Sequence, residues 1–393
     1  MAERILHISA DYPDCLDTAK PLVVKSLLEL TQGEFDHRVI SINRQTPAAP
    51  KFFRESLLSG LRPRARCEFE DCDDVTAVRY FAPAKGLFHK RMLLGLADQI
   101  VTRLKGEPIP SLVLGHKLSV EGFIAERVAE QIGAPFGVAI QGNTDTRILA
   151  ARPDLASDLG RLFRQAAVVM PFAPWALGHF ERRFGGRAGP TYTLPCPTQL
   201  DEPLVPKIGR GGRFVTAFHL RNHRLKNLSG MVRAMRVLHE QGREFTLDII
   251  GGGEARERAD CGATIGATAG IEMLGHVPPP QLPAIFNAAT GLVLPSRRES
   301  FGLVFIEALF AGLPVIYPQG AAIDGYFDNA PFAIAVDAQD PANIAAAMTI
   351  LSDKEAEIKT DLRDWQSSED AQRFTRKAIG AQFTRAIQHG LAR

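Results

Sequence analysis

The residues best suited to bind a ligand are two glutamates eight positions apart, Glu299 in a short polar loop and Glu307 in the apolar segment that follows. This segment, LVFIEALFAGL (303–313), is apolar nearly all round, which predicts a buried helix. An unpaired carboxylate there would cost several kcal/mol or take up a proton. Since no arginine or lysine lies one turn away, the sequence favours a polar ligand that reaches Glu307 from outside.

The start of this helix is a predicted anion site. The apolar run GLVL (291–294) predicts a strand before it, and the helix ends at a glycine and a proline, positions 312 and 314. Free backbone N–H groups lie at four residues around the helix start, Ser300, Phe301, Gly302 and Leu303. Glycine lets a phosphate approach the backbone closely, and an ionised carboxylate accepts hydrogen bonds from two vicinal hydroxyls. Carboxylate, amide groups and carboxylate in this order predict a site for a sugar, a diphosphate and a ribose, the parts of a nucleotide sugar.

The stretch PSRRESFGLVFIEALFAGLPVI (295–316) resembles the Glu-x7-Glu motif of the retaining glycosyltransferases of family four, the glycosyl transferases group 1. The resemblance implies that Glu299 contacts the donor sugar and that Glu307 holds the ribose. It also implies the GT-B fold, in which two Rossmann-like domains face a cleft and a C-terminal helix crosses back to the N-terminal domain.

Length and composition are those of a globular protein with two domains. The chain has 393 residues, 45% of them hydrophobic, and a net charge of +2, so its charge gives no sign of nucleic-acid binding. Its five cysteines (15, 67, 72, 196 and 261) are odd in number and lack the spacing of a metal site, which suits a reducing cytoplasm. With no signal-like or membrane-spanning apolar run, we expect a cytoplasmic protein, with the inner face of the membrane as an alternative location.

In the first half, strands and helices alternate, which predicts parallel βαβ units. A loop with Asp11 and Lys20 follows the first strand and would meet the acceptor or the phosphates; a plain surface loop is the alternative. Later strands bring His116, Lys117 and Gln141 to their carboxyl ends, where open parallel sheets bind ligands. Relatives often have a histidine near the sugar at the place of Gln141, and His116 could equally be an ordinary residue at a strand end.

In the second half, the first strand is followed by Arg221 and Lys226, which resemble the basic pair that grips the donor diphosphate in the family. A solvated basic cluster is the alternative. Gly252 belongs to a glycine turn that we place near the donor phosphate. His276 and Val277 resemble the family's loop whose backbone reads the edge of the base.

Two basic stretches with aromatic residues, KFFRESLLSGLRPRAR (51–66) and GLFHKRMLLGLADQIVTRLK (86–105), are typical of amphipathic helices on anionic membrane surfaces. Helices that pack on the core and leave a charged face in water are the alternative, and it is at least as well supported.

Together these features predict an α/β protein with an N-terminal Rossmann-like acceptor domain (1–197, joined by a helix at about 371–393) and a C-terminal Rossmann-like nucleotide-sugar domain (205–370). A linker rich in proline and glycine (195–212) joins the two.

The predicted function is retaining transfer of a sugar from a nucleotide-diphosphate sugar, with UDP favoured, to a glycan or lipid-linked acceptor in cell-envelope synthesis. The predicted catalytic residues are Glu299, Arg221, Lys226 and His116. No metal is expected, because two cations already face the diphosphate, and no cofactor is expected beyond the nucleotide-sugar substrate. A nucleotide-sugar epimerase or hydrolase of the same fold, or a non-catalytic nucleotide-sugar-binding protein, is the alternative.

Overall fold

The computed structural model describes residues 2–46, 66–83, 88–209 and 211–392. The chain divides into two compact units. Unit 1 comprises Met1–Phe172, Ala176–Cys196 and Ile379–Arg393, and unit 2 comprises Ala173–Trp175 and Pro197–Ala378. Of the basic stretch at 51–66, only Arg66 lies within the described residues.

Unit 1 is built on a seven-stranded sheet of short, mostly buried strands. They are β1 (Arg4–Ser9), β2 (Asp36–Gln45), β3 (Arg66–Cys72), β4 (Val75–Phe81), β5 (Leu112–Gly115), β6 (Phe136–Ile140) and β7 (Val168–Pro171). Their order along the sheet is β3-β4-β2-β1-β5-β6-β7, and all are parallel except β3, which is antiparallel to β4. Parallel strands need crossover connections, which helices supply. These helices are α1 (Val23–Glu29), α2 (His89–Arg103), α3 (Glu121–Ile132), α4 (Asn143–Ala151), α5 (Ala156–Gln165) and α6 (Pro174–Phe184).

Unit 2 repeats this architecture with a six-stranded parallel sheet. Its strands are β8 (Arg213–Ala217), β9 (Thr246–Ile250), β10 (Ile271–Gly275), β11 (Gly291–Val293), β12 (Val315–Pro318) and β13 (Ala333–Val336), in the order β10-β9-β8-β11-β12-β13. Its helices are α7 (Leu228–Glu240), α8 (Ala255–Ile265), α9 (Leu282–Asn287), α10 (Leu303–Phe310), α11 (Pro341–Asp353), α12 (Glu355–Gln366) and α13 (Glu369–Gln372). The predicted alternation of strands and helices is confirmed in both halves.

The last helix, α14 (Arg376–Leu391), leaves unit 2 and packs on unit 1. Ile379, Phe383 and Ile387 are fully buried there. The helix backbone comes so close to the end of α1 that a Cβ on Gly380 would lie 3.3 Å from the Cβ of Leu30. The predicted return of the C-terminal helix to the N-terminal domain is confirmed.

The basic helix α2 packs on the core of unit 1, as the second of its two interpretations predicted. Its charged ends are paired, Lys90 with Asp158 and Arg103 with Asp71, each at 2.6 Å. Its other face is buried through Met92, Leu93, Leu96, Ala97 and Ile100. Across the described ranges, no helix is long and apolar enough to cross a bilayer.

The structure contains a disulfide between Cys15 and Cys72, whose Cα atoms are 5.9 Å apart. This differs from the thiols expected of a reducing compartment. The pairing joins the loop after β1 to the edge strand β3 across 57 positions of sequence. Cysteine spacing alone could not predict it, because the antiparallel return of β3 brings the two residues together.

Candidate active site

Glu307 lies on α10 and faces a cavity of about 420 Å³ in unit 2. The predicted buried helix is confirmed, since five of its eight residues are buried, and Glu307 itself is half-buried. Among the described residues its carboxylate has no hydrogen bond and no ion pair, and burial raises the pKa of Glu307 above its ordinary value. The cavity is otherwise lined by Gln199, Leu200, Pro279, Pro280, Leu282, Pro283 and Phe286. A single carboxylate facing an apolar cavity is suited to hold paired hydroxyls of a ligand.

A second cavity of unit 2, of about 590 Å³, is lined by four more of the residues predicted to contact the donor. Arg221, Gly252, His276 and Val277 all line it, together with the neighbouring glycines of the β9–α8 turn. Both cavities share Pro279 and Leu282 in their walls, so the two spaces adjoin. The structure therefore places the predicted phosphate, base and ribose residues around one continuous surface at the carboxyl end of the sheet.

The glycine turn beside this cavity is a place of close backbone approach. Gly251 has φ of +157°, and a Cβ on it would lie 1.8 Å from the backbone oxygen of Phe218. Only glycine fits, because the loops after β8 and β9 touch there.

Lys226 and Glu299 form an ion pair, in which the Lys226 ammonium donates to Glu299 Oε2. The pair is mostly buried, with side chains 21% and 13% exposed. The sequence had given these residues separate partners, diphosphate and sugar. In the structure they lie side by side, so one ligand group that reaches either of them also contacts or lies next to the other.

The loop that leads into α10 is held by packing and by an indole. Gly302 has φ of +75°, and a Cβ there would lie 2.7 Å from the Phe305 ring, which explains the glycine. The Trp175 indole N–H donates to the backbone oxygens of Ser300 at 3.2 Å and Ala322 at 2.9 Å. The helix start has no side-chain cap among the described residues, so its first N–H groups are not used by a capping side chain, and the anion site stays a prediction.

Phe301, also predicted to contact the donor, is 3% exposed and packs edge-on against Tyr326 with ring centroids 6.1 Å apart. Its side chain therefore supports the loop from inside, and only its backbone can face a ligand.

In unit 1, the predicted acceptor residues meet at the carboxyl end of β1, β5 and β6. Lys117 Nζ lies 2.6 Å from Asp11 Oδ2. Gln141 is half-buried, and its backbone N–H donates to Asp145 at 3.2 Å. His116 is 1% exposed and hydrogen-bonded to another histidine, and burial lowers its pKa to about 3. A neutral, buried imidazole at this position can accept a hydrogen bond, and its lowered pKa makes it a weak base.

Lys20 does not face this edge with a free ammonium group. Its Nζ donates to Asp14 at 2.8 Å, to Ser41 Oγ at 2.8 Å and to Ile42 O at 3.3 Å, which uses all three of its protons. Burial would raise the pKa of Asp14, but hydrogen bonds from Lys20 and Asn43 outweigh it and lower the pKa to about 2. Lys20 therefore stabilises the loop through internal hydrogen bonds, and its contact with an acceptor stays a prediction.

The sequence of the chain matches a known family and several known proteins. The family model described as glycosyl transferases group 1 matches residues 206–368. The 2-deoxystreptamine glucosyltransferase of Streptomyces kanamyceticus is 31% identical over 296 residues, which are 70% of each chain. The chain belongs to the group 1 glycosyltransferases.

Other relatives match a smaller part of this glycosyltransferase. The D-inositol 3-phosphate glycosyltransferase of Corynebacterium kroppenstedtii is 32% identical over 147 residues, 35% of this chain and 33% of that protein. A sucrose-phosphate synthase from Thermosynechococcus elongatus superposes over 99% of both chains with a TM-score of 0.69 and 18% identity. At this identity the superposition shows the fold alone, and that fold is GT-B.

Two buried carboxylates of the glycosyltransferase, Glu121 and Asp145, were not predicted from the sequence. Glu121, the first residue of α3, is 0% exposed; its Oε1 accepts a hydrogen bond from Ala10 N at 2.7 Å, while Oε2 has no partner among the described residues. Burial raises the pKa of Glu121 to about 7, against the attraction of Lys117. Asp145 is equally buried and accepts from Ser119 N at 2.8 Å and Ser119 Oγ at 2.6 Å. Each belongs to the first turn of an amphipathic helix, a position where an acidic residue usually faces water.

Proposed function

We propose that this group 1 glycosyltransferase transfers a sugar from a nucleotide-diphosphate sugar, UDP-linked in the simplest case, to a hydroxyl of a glycan or lipid-linked acceptor in envelope synthesis, with retention of anomeric configuration. Glu307 carries the proposal. It is the carboxylate expected for the ribose, it faces a cavity next to Arg221, and it has no partner within the described chain.

In the proposed arrangement, unit 2 binds the donor. The ribose hydroxyls donate to Glu307, the base lies by the backbone of His276 and Val277, and the diphosphate meets Arg221 and the free N–H groups at the start of α10. Lys226 reaches the phosphate next to the sugar, and Glu299, its partner in the ion pair, accepts from the sugar hydroxyls. Charge-assisted hydrogen bonds of this kind are the strong ones.

The reaction breaks the bond between the anomeric carbon and the diphosphate oxygen while the acceptor oxygen bonds to the same face. The acceptor hydroxyl proton passes to the departing diphosphate, so that no protein base is needed. Negative charge develops on the diphosphate, where the cations Arg221 and Lys226 stabilise it. This account supports a metal-independent reaction, because the charge that a divalent ion would neutralise is met by side chains.

Unit 1 is proposed to bind the acceptor at the edge formed by Asp11, Lys117 and Gln141. The relatives limit the choice of acceptor only in part, since by name one of them acts on 2-deoxystreptamine and others act on D-inositol 3-phosphate. Both are small hydroxylated rings, which makes a free cyclitol the specific alternative to a glycan or lipid-linked acceptor.

The test begins with thermal shift and initial rates on a panel of UDP-, GDP- and ADP-sugars. Each donor is then paired with lipid-linked sugars, oligosaccharides, 2-deoxystreptamine and inositol 3-phosphate. We expect one nucleotide class to stabilise the wild type, Glu307→Ala to abolish that shift, and the surface control Glu272→Gln to keep it. The product anomer is read by NMR, and activity in chelator tests metal independence. Free sugar or an epimer formed without acceptor would favour the epimerase or hydrolase alternative, and binding without turnover on every acceptor would favour a non-catalytic protein.

A further inference from the structure

Three histidines form a continuous hydrogen-bonded row inside unit 1. His116, at the end of β5, lies with Nε2 3.0 Å from Nδ1 of His7 on β1. His7 Nε2 lies 2.8 Å from Nδ1 of His37 on β2. His37 Nε2 in turn lies 3.0 Å from Oγ1 of Thr31, just beyond α1. The row therefore crosses the sheet from the carboxyl end of β5, through β1, to the amino end of β2.

The row is buried at His116, His7 and Thr31, whereas His37 is half-buried and lines a cavity of about 480 Å³. His7 and Thr31 are 0% and 1% exposed, and Phe383 of α14 covers the row with its ring centroid 6.5 Å from that of His7. Burial lowers the pKa of all three imidazoles, well below the ordinary value for His7. Charged groups act on its ends, Asp11 and Lys117 on His116 and Asp36 on His37. Each imidazole therefore carries one proton, and its position is set by its neighbours.

Thr31 fixes the direction of these hydrogen bonds. Its hydroxyl lies 3.5 Å from Leu27 O and 3.4 Å from Leu28 O, and carbonyl oxygens can only accept. Assigning the single hydroxyl proton to one of these carbonyls makes Oγ1 the acceptor of a hydrogen bond from His37 Nε2–H. His37 Nδ1 is then an acceptor, and the same logic makes His7 Nε2 and His116 Nε2 the protonated nitrogens. His116 Nδ1 is left as a bare acceptor, and it makes no hydrogen bond with any residue that the structure describes.

We propose that His7 and His37 are positioning residues that hold His116 in the Nε2-protonated form, so that its Nδ1 accepts a hydrogen bond from a substrate hydroxyl at the carboxyl end of β5. The role in turnover rests on the proposed function, whereas the tautomers do not. The row is not a metal site, because its facing nitrogens are bonded to one another, and within the described residues no group of three ligating side chains could hold an ion.

The tautomers are tested first, without any substrate, by ¹⁵N NMR of the full chain labelled at histidine. Three of its ten histidines should show a protonated Nε2 and an unprotonated Nδ1 at about pH 8, and substitution of His37 assigns them. An imidazolium form of His7 or His116 at that pH, or a protonated Nδ1 on His116, would overturn the proposal.

The role in turnover is tested with His37→Asn and His37→Leu. The asparagine oxygen stands where Nδ1 was and still accepts from His7, whereas leucine offers no acceptor. We expect leucine to lower kcat about tenfold or more, the effect of one lost hydrogen bond, with unchanged KM for the nucleotide sugar, and asparagine to restore most of the rate. Equal loss in both variants, or no loss with leucine, refutes the positioning role. A wild type that binds no nucleotide sugar would refute the proposed function and leave the NMR result standing.

Discussion

Replacement of Glu307 by glutamine should change stability and ligand binding in opposite directions. The half-buried carboxylate has no partner among the described residues, and burial raises its pKa above the unfolded value. A group of this kind favours the folded state below its unfolded pKa, and that contribution is lost as the pH rises through the folded pKa. At neutral pH the wild type therefore carries the penalty of a desolvated charge, and glutamine removes it.

The size of the effect follows from linkage. Each unit by which the folded pKa exceeds the unfolded one corresponds to about 1.4 kcal/mol of unfolding free energy, and about 1 kcal/mol moves the melting temperature of a domain of this size by about 2–4 °C. Glu307→Gln should melt higher than the wild type at about pH 8 and equally at about pH 4, where both side chains are neutral. Differential scanning fluorimetry at the two pH values measures this directly.

Nucleotide binding should weaken in Glu307→Gln, in contrast to the expected gain in stability. A carboxylate can accept two charge-assisted hydrogen bonds from the ribose, each worth about 1.5–3 kcal/mol, whereas the amide oxygen makes weaker neutral ones. Nucleotide affinity should fall about 10- to 100-fold in Glu307→Gln, as measured by calorimetry. A variant that melts lower than the wild type at the higher pH, or that binds the nucleotide equally well, would refute the reasoning.

Three further predictions concern unit 2. Lys226→Ala and Glu299→Ala should each lower kcat about 100- to 1,000-fold. The double variant should lose no more activity than the worse single variant, because the ion pair acts as a unit. Losses that multiply in the double variant would contradict this. Lys359→Ala should lower the unfolding free energy by about 3–5 kcal/mol in chemical denaturation. The lysine is 2% exposed, and its loss leaves the buried carboxylate of Glu355 without its ion-pair partner. A loss below about 1 kcal/mol would show that the site relaxes. Gly251→Ala should remove the nucleotide-induced thermal shift through backbone overlap, whereas Gly262→Ala, with open space at its Cβ position, should leave it intact.

The sequence predicted the features that depend on local pattern. Alternating apolar runs gave the strands and helices, and the spacing of Glu299 and Glu307 with Gly302 between them located the loop and α10. The return of α14 could also be predicted, because its apolar residues recur at helical spacing and the family resemblance supplied the partner. These features need only a few neighbouring residues, which is why one sequence contains them.

The features that the sequence did not predict join distant segments. Lys226 and Glu299 are 73 positions apart, and their pairing arises because neighbouring strands β8 and β11 end at the same edge. Trp175 reaches the loop before α10 from 125 positions away. The cavity beside Glu307 could not be predicted for a related reason. The sequence shows how apolar the helix is, but the cavity is formed with other segments, residues 199–200 and 279–286.

The charges at the two ligand-binding edges suit different substrates. In unit 2, Arg221 has no ion-pair partner within the described chain, whereas Glu254 and Glu257, which line the same cavity, each accept a hydrogen bond from the other's backbone N–H at the start of α8, so Arg221 is the cation available there to a diphosphate. In unit 1, the carboxylates of Asp11, Glu121 and Asp145 outnumber the single ammonium of Lys117. Burial raises the pKa of Glu121 to about 7 against the attraction of Lys117, and Lys117 is already paired with Asp11, so Lys117 is not a free cation for an added anion. This difference favours binding of the diphosphate at unit 2, whereas Asp11 and the Gln141 side chain in unit 1 can hold acceptor hydroxyls by hydrogen bonds.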